Sequence, residues 1–176
     1  MILTAAEIEN ACLQGDLISD QFERDNLDGC AYEFRVGRFA YRYDHANRSA
    51  IREESDRHVI YPFETLAIVT LERINLDAQH FLQVHLKGSL FAVGVIPVCT
   101  AADPGFSNYL GLTLTNISAR PIELKSGERF AKGVFHQLSH PAEKIYSGSH
   151  GDARYTWPYP AHLQMADFSA ETYVYR

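Results

Sequence analysis

The stretch Leu110-Gly111-Leu112-Thr113-Leu114-Thr115 places a leucine at every second position. Successive side chains of a β-strand point to opposite faces, so this alternation predicts a strand with one buried and one partly exposed face. The apolar, β-branched run Leu66–Leu71 predicts a second strand. These two segments therefore predict a mainly β fold.

Further short strands are predicted on both sides of this stretch. Aromatic and β-branched residues predict strands at 31–36 and 39–43, with Gly37 between them. The segments 122–124 and 130–138 flank a Ser126-Gly127 turn, which predicts a hairpin. Many short strands with regular turns are typical of a closed sandwich or barrel, and we predict one domain.

A short helix is predicted at the N-terminus. Thr4 and Glu7 have the capping-box spacing, Ile8 begins the apolar face, and Gly15 stands where a helix end favours a left-handed residue. Two segments show no such periodicity. We predict a mobile excursion over Asp44–Arg57, which is charged. The Pro- and aromatic-rich tail from Ser147 to Arg176 is predicted to cover another surface, on a neighbouring subunit.

Composition narrows the function classes. The formal net charge of −6 and the scattered Lys and Arg argue against a nucleic-acid partner. No apolar run is long enough to cross a bilayer, so no membrane partner is expected. Three widely spaced cysteines predict a reducing, cytoplasmic location. They also exclude a C-x-x-C zinc motif, and His136 and His140 are interpreted as ordinary hairpin histidines, so no metal site within the protein is predicted.

An ordered series of segments resembles the dCTP deaminases of the trimeric dUTPase superfamily. It covers about residues 1–157. The matching segments are Ile2-Leu3-Thr4, Glu7-Ile8, Gly15–Ile18, Glu33–Gly37, Thr70–Ile74, Asp103-Pro104-Gly105-Phe106-Ser107, Leu124–Gly127, Phe135–Ser139 and Asp152–Tyr155. The resemblance implies a mainly β, distorted jelly roll (β-clip) with a short N-terminal helix. It also implies a β domain over 1–146, a C-terminal lid over 147–176, and a homotrimer with active sites between subunits.

The resemblance implies metal-free deamination in the family, but four positions that serve this chemistry differ here. The family's general acid and base is a Glu, and Thr113 stands at its position. A threonine hydroxyl does not ionise near neutral pH, so it cannot take this role. Gly88 replaces a serine that positions water, and Ala92 and Ala101 replace two arginines.

Other positions keep residue types suited to nucleotide binding. By the resemblance, the candidate nucleotide-binding set is Lys87, Gly88, Ser89, Asp103, Tyr146, Arg154 and Tyr155. Asp103 is also the one candidate catalytic residue. Plainer interpretations stay open: Asp103 before Pro-Gly and Ser89 suit turns, Lys87 and Arg154 suit solvated charges, and Tyr155 suits packing against a neighbouring subunit. Trp157-Pro158 replaces the stretch of the family's lid glutamine.

Four hypotheses remain open at this point. The first is a trimer that binds a pyrimidine (deoxy)nucleotide without deaminating it, as a sensor or a protein-binding module. The second is dUTPase-like pyrophosphate hydrolysis with Asp103 orienting water and Mg²⁺ bound through the nucleotide phosphates. The third is a deaminase with a rearranged site, for which Glu123 is a candidate carboxylate expected to point elsewhere. The fourth is a purely structural or protein-binding trimer. No tightly bound cofactor is predicted.

Overall fold

A computed structural model describes residues 1–97, 100–148 and 151–158 of the chain. Within these ranges the helices are α1 (Ala5–Leu13) and α2 (Gly88–Ala92), with a 3₁₀ turn at Arg24–Asn26. The strands are β1 (Leu17–Asp20), β2 (Leu27–Asp28), β3 (Ala31–Asp44), β4 (Ser49–Glu54), β5 (Arg57–Ile60), β6 (Thr65–Asn75), β7 (His80–Leu86), β8 (Val95–Pro97), β9 (Thr100–Ala102), β10 (Ser107–Asn116), β11 (Ile122–Lys125) and β12 (Arg129–Gln137).

The predicted β architecture is confirmed as a curled, mainly β fold consistent with a jelly roll. Among the described residues, ten strands form one antiparallel sheet in the order β8-β10-β6-β3-β12-β7-β9, with β1 on β6 and β2 and β4 on β3. Strands β5 and β11 form a separate pair. No helix in the described ranges is long and apolar enough to cross a membrane.

The N-terminal helix begins and ends as predicted. The Thr4 hydroxyl accepts from the Glu7 amide, and the Glu7 carboxylate accepts from the Thr4 amide at 2.8 Å, which completes the capping box. Gly15 has φ +86°, the left-handed backbone that follows many helix ends. The buried side chains of Ile8 and Cys12 join α1 to the main core.

Strand β3 is one strand of 14 residues, so the predicted break at Gly37 is wrong. Its first half pairs with β12 and its second half with β6 and β4, with an irregularity between Val36 and Ala40. A Cβ at Gly37 would lie 2.4 Å from the carbonyl oxygen of Val69. The glycine therefore marks a close backbone approach where the strand changes partners and the sheet curls, not a loop.

Two more expectations from the sequence need correction. The predicted mobile excursion over Asp44–Arg57 is wrong, because Ser49–Glu54 is a strand that pairs residue by residue with Phe39–Asp44. Charged residues such as Arg52 and Glu54 are stable there because they lie on an exposed outer strand. The Ser126-Gly127 turn is present, but its flanking strands pair with β5 on one side and with β3 and β7 on the other, not with each other.

Candidate functional site

Strand β10 separates the core from an outer face of the sheet. Leu110, Leu112 and Leu114 are buried in the main core, as the alternation predicts. The intervening residues face outward. This outer face continues across β6, β3 and β4, and it carries a second apolar cluster: Tyr41, Ala67, Val69, Tyr109 and Ala153, with Phe39, Ala50 and Trp157 packed against it.

Thr113 lies on the outer face and is half-buried. It is in register with Ala67 on β6, Ala67 with Tyr41 on β3, and Tyr41 with Arg52 on β4. This row of side chains contains no carboxylate. Glu123 does not replace it, because it lies on β11 and faces Arg57 at 3.6 Å in the separate two-stranded sheet.

The segment after β7 forms the short helix α2, which the sequence did not predict. Lys87 precedes α2, and its Nζ lies 2.9 Å from Oε1 of the buried Glu33, which Arg129 also contacts at 3.3 Å. Lys87 is therefore engaged by a carboxylate of its own chain. Gly88, Ser89 and Ala92 are exposed on α2.

Asp103 and Tyr146 are brought together by the turn that precedes β10. Asp103 is exposed, and its backbone carbonyl accepts from the Phe106 amide at 3.0 Å. The Tyr146 amide donates to the Pro104 carbonyl at 2.7 Å, and its ring lies 5.3 Å from that of Phe106. Gly105, with φ +86°, leaves no room for a Cβ beside Ile145. Asp103 and Tyr146 line one open cleft with Pro104 and residues 144–148.

Tyr146 also lines a partly enclosed cavity of about 170 Å³. Ala101 lines it, at a position where the resemblance implies an arginine. The remaining walls come from β9, the turn before β10, β10 itself and the tail: Thr100, Phe106, Asn108, Tyr109, Leu110, Gly111, Gly151, Ala153, Thr156, Trp157 and Pro158. The cavity is mainly aromatic and apolar. Neither it nor the Asp103 cleft is lined by Lys87, Gly88, Ser89 or Ala92, so this chain alone does not unite the two halves of the predicted site.

Residues 151–158 of the tail contact the outer face of their own chain. Arg154 pairs with Asp152, with Nη2 to Oδ2 at 2.7 Å and Nε to Oδ1 at 3.1 Å. Hydrogen bonding by Arg154 holds the pKa of the Asp152 carboxyl below its usual value. The guanidinium also lies 4.2 Å from the Tyr109 ring centroid, whereas Tyr155 is 61% exposed. Residues 159–176 lie outside the described ranges, and packing of the tail on a neighbouring subunit stays a prediction.

Side chains that hold the tail were not predicted from the sequence. The Asn108 side chain donates to the Gly151 carbonyl and accepts from the Ala153 amide. Tyr41 and Tyr43 contact the tail from β3. The alternation Phe39, Tyr41, Tyr43 is a signal that would have indicated an aromatic outer face. Nothing in the local sequence singles out Asn108. In the described ranges, no three His, Cys, Asp or Glu side chains come together in a way that suits a metal ion.

A sequence family described as dCTP deaminase-like matches residues 2–138 of the chain. The chain belongs to this family. A family member, the dCTP deaminase of Pyrococcus horikoshii, is 33% identical over 138 residues, which cover 78% of this chain and 86% of that protein. The dUMP-forming dCTP deaminase of Methanopyrus kandleri is 28% identical over an alignment of 189 residues, covering 93% and 96% of the two chains.

The fold of the family is also found among solved structures. The dCTP deaminase of Agrobacterium tumefaciens superposes with a TM-score of 0.67 at 18% identity, over 79% of this chain and 48% of the longer Agrobacterium chain. A point mutant of the dUTPase from the S. aureus phage phi11 superposes with a TM-score of 0.52 at 11% identity, over 74% and 92% of the two chains. At these identities the superpositions support the shared fold.

Proposed function

We propose that this protein binds a pyrimidine deoxynucleotide at the subunit contacts of a homotrimer and does not deaminate it. The observation that carries the proposal is the row Thr113, Ala67, Tyr41. The Tyr41 hydroxyl is engaged with the Ala153 carbonyl, and the row presents no carboxylate to act as general acid and base at the centre of β10. Cytosine deamination needs such a group near the attacking water, and removing a general acid or base typically costs about 10²–10⁴ in rate.

Nucleotide binding is supported by the residues that remain near the turn. The exposed Asp103 carboxylate and Tyr146 share an open cleft, and Tyr146 also lines an aromatic cavity. Such a combination of apolar walls and a few polar groups is typical of small-molecule sites. The relatives named dCTP deaminase act on a nucleotide of this class. Mg²⁺ enters the proposal through the nucleotide phosphates, with Asp103 as the nearest exposed carboxylate of the cleft.

The trimer is supported by an exposed apolar patch beside α2. Phe91, Val93, Ile96 and Ile117 are each 42–68% exposed, and they surround Gly94, whose carbonyl accepts from the Ile117 amide. An apolar patch of this kind marks a protein contact more often than free surface. A subunit seated there would lie next to Lys87, Gly88 and Ser89. The Asp103 cleft and the tail of the neighbouring chain could then complete the site that one chain alone does not unite.

A dUTPase-like hydrolase is the second candidate, because Asp103 is exposed and accessible for orienting a water. This hydrolase would not need a carboxylate at the position of Thr113, because phosphate-bond cleavage does not use one there. In this chain Lys87 and Arg154 are both paired with carboxylates, at 2.9 Å and 2.7 Å, so two cations that would serve a triphosphate are engaged elsewhere. The pairing weakens the case for phosphate-bond cleavage, and the proposed binding rests on the Asp103 cleft and the aromatic cavity.

The test is an activity panel on the purified trimer. We expect no ammonia from dCTP or CTP and no pyrophosphate from dUTP, dCTP or dTTP, together with thermal stabilisation by at least one of these nucleotides. A ligand at a hundred times its Kd stabilises the folded state by about 2.7 kcal/mol. Ammonia release above that of Thr113→Ala, abolished by Asp103→Ala, contradicts the proposal. Pyrophosphate release identifies the hydrolase. If neither product is released and millimolar nucleotide gives no thermal stabilisation, the protein is a structural trimer.

A further inference from the structure

The indole of Trp157 lies in a notch on the outer face that fits a flat ring. The ring notch is formed by Tyr41, Tyr43 and Gly111. The Trp157 ring stacks on that of Tyr41 with centroids 5.9 Å apart and an interplanar angle of 23°. Its Nε1–H donates to the Tyr43 hydroxyl at 2.9 Å. A Cβ at Gly111 would lie 1.8 Å from Cη2 of the indole, so the absence of a side chain at this position makes the space that the ring fills.

The backbone of the tail is fixed over the same face by side chains of three strands. The Tyr41 hydroxyl donates to the Ala153 carbonyl at 3.0 Å. Asn108 donates to the Gly151 carbonyl at 2.5 Å and accepts from the Ala153 amide at 3.2 Å. Arg52 donates to the carbonyl of Arg154 at 2.8 Å. Polar contacts at both ends of the segment hold it in one register, so the indole is aimed into the notch and does not reach it by chance.

The ring notch adjoins the site proposed above. Gly111 and Thr113 face outward on the same strand, two residues and therefore about 7 Å apart. Gly111 and Trp157 also line the 170 Å³ cavity with Ala101, Phe106 and Tyr146. The indole therefore lies over Gly111 at the edge of the cavity, one outward-facing position from Thr113.

We propose that the ring notch is a binding site for a planar heterocycle, that Trp157 occupies it in the free protein, and that a pyrimidine base displaces the indole. This inference rests on the proposed nucleotide binding. Tyr41 offers a stacking face for any aromatic ring. The Tyr43 hydroxyl both donates and accepts, so it can pair with a ring N–H, as it does with the indole, or with a ring carbonyl. Trp157 thereby competes with the base within the same chain. The apparent affinity for the nucleotide equals the intrinsic affinity multiplied by the fraction of molecules in which the notch is open.

The full chain offers a direct readout, because Trp157 is the only tryptophan in the sequence. Titration with dCTP is expected to shift its emission to longer wavelength as the indole moves into water. Trp157→Ala is expected to bind dCTP about tenfold more tightly, if the notch of the wild type is open about one tenth of the time. Trp157→Phe keeps a ring for the notch and is expected to bind like the wild type. Weaker binding by Trp157→Ala would overturn the proposal, since it would mean that the indole contacts the nucleotide.

A second variant tests the notch without any nucleotide. Gly111→Ala fills the notch with a Cβ and is expected to shift the Trp157 emission to longer wavelength in the free protein. If that chain does not fold, Tyr43→Phe removes the hydrogen-bond acceptor and is expected to give a smaller shift in the same direction. Unchanged emission in the folded variants overturns the notch and leaves nucleotide binding intact. If neither the wild type nor Trp157→Ala binds dCTP, the proposed function is overturned. The proposal that a pyrimidine base occupies the ring notch then falls as well, even if Gly111→Ala shifts the emission.

Discussion

Arg35 and Glu72 form a buried ion pair between two central strands of the sheet. Nε of Arg35 donates to Oε1 of Glu72 at 2.7 Å, and the Arg35 amide donates to Oε2 at 3.0 Å. The Glu72 side chain is fully buried, and the Tyr32 hydroxyl also donates to it at 3.4 Å. Burial raises the pKa of Glu72 above its usual value despite these donors. The pair therefore ties β3 to β6 at a cost in desolvation, and each partner depends on the other.

We expect Arg35→Met to be among the more destabilising single substitutions of a charged residue in this chain. Removing one partner of a buried pair leaves the other charge uncompensated, which typically costs about 3–5 kcal/mol. Arg24→Met is the matched control, since Arg24 pairs with Glu9 at 2.9 Å but is 77% exposed. Exposed pairs contribute about 0–1 kcal/mol. Urea unfolding of both variants checks the difference, and equal losses would show that burial does not decide the strength of the pair.

The buried His58 gives a pH dependence of stability. Its Nε2 lies 3.0 Å from the Gly37 carbonyl, and its Nδ1 is buried without a hydrogen-bond partner among the described residues. Burial lowers the pKa of His58 below its ordinary value of 6.5. The neutral ring thus contributes stability above pH 6.5, and this contribution is lost as the pH falls towards the lower folded-state pKa.

We therefore expect the wild type to lose stability below about pH 6.5 faster than His58→Gln, which keeps a neutral donor for Gly37. For one proton the slope difference approaches about 1.4 kcal/mol per pH unit. Unfolding free energies measured from about pH 7.5 to about pH 5 check it, a range that brackets the ordinary histidine pKa. Glu72 contributes to the pH dependence with the opposite sign, because its raised pKa favours the folded state at low pH. This contribution is the same in both proteins, so the wild type and His58→Gln are compared at each pH. If the unfolding free energies of the wild type and His58→Gln change in parallel with pH, His58 does not cause the loss of stability.

The sequence predicted what depends on neighbours along the chain. The leucine alternation of β10 and the capping box of Thr4 and Glu7 are local patterns, and both are present. The hairpin of β3 and β4 was missed because its charged strand is stable only through pairing with Phe39–Asp44. The ring notch was missed because its members, including Gly111 and Trp157, are far apart in sequence and meet only when the sheet has formed.

We expect Gly37→Ala and Gly88→Ala to differ sharply in stability. A Cβ at Gly37 would meet backbone oxygens of β6 at 2.4 and 2.9 Å, whereas one at Gly88 would meet nothing within 4 Å. Backbone cannot yield as a flexible side chain does, so Gly37→Ala should cost about 1–3 kcal/mol. Gly88→Ala should stay within about 0.5 kcal/mol, as surface substitutions usually do. Thermal unfolding of the two variants measures the contrast, and a neutral Gly37→Ala would mean that β3 can move away from β6.

Phe91→Asp is expected to dissociate the proposed trimer. Phe91 is 68% exposed on α2 within the apolar patch, and a carboxylate buried in a subunit contact would lack a partner. Ile51→Asp is the control, because Ile51 is 50% exposed on β4 in another part of the sheet. Light scattering should give a mass three times the 19.9 kDa chain for the wild type and the control, and a smaller mass for Phe91→Asp. A trimeric Phe91→Asp would move the subunit contact away from α2.

Restoring the four positions that differ from the family pattern is expected to restore deamination of dCTP. The structure has room for the changes: a Cβ at Gly88 meets open space, and Ala92 and Ala101 are exposed. Thr113 is half-buried opposite the small Ala67, so a longer carboxylate side chain can extend along the outer face. Ammonia release by the chain carrying Gly88→Ser, Ala92→Arg, Ala101→Arg and Thr113→Glu measures the result. The same chain with Thr113 unchanged should be at least about 10²-fold slower, since it lacks the general base. If the fourfold variant is trimeric and binds dCTP yet stays inactive, the loss of these four side chains does not explain the missing chemistry.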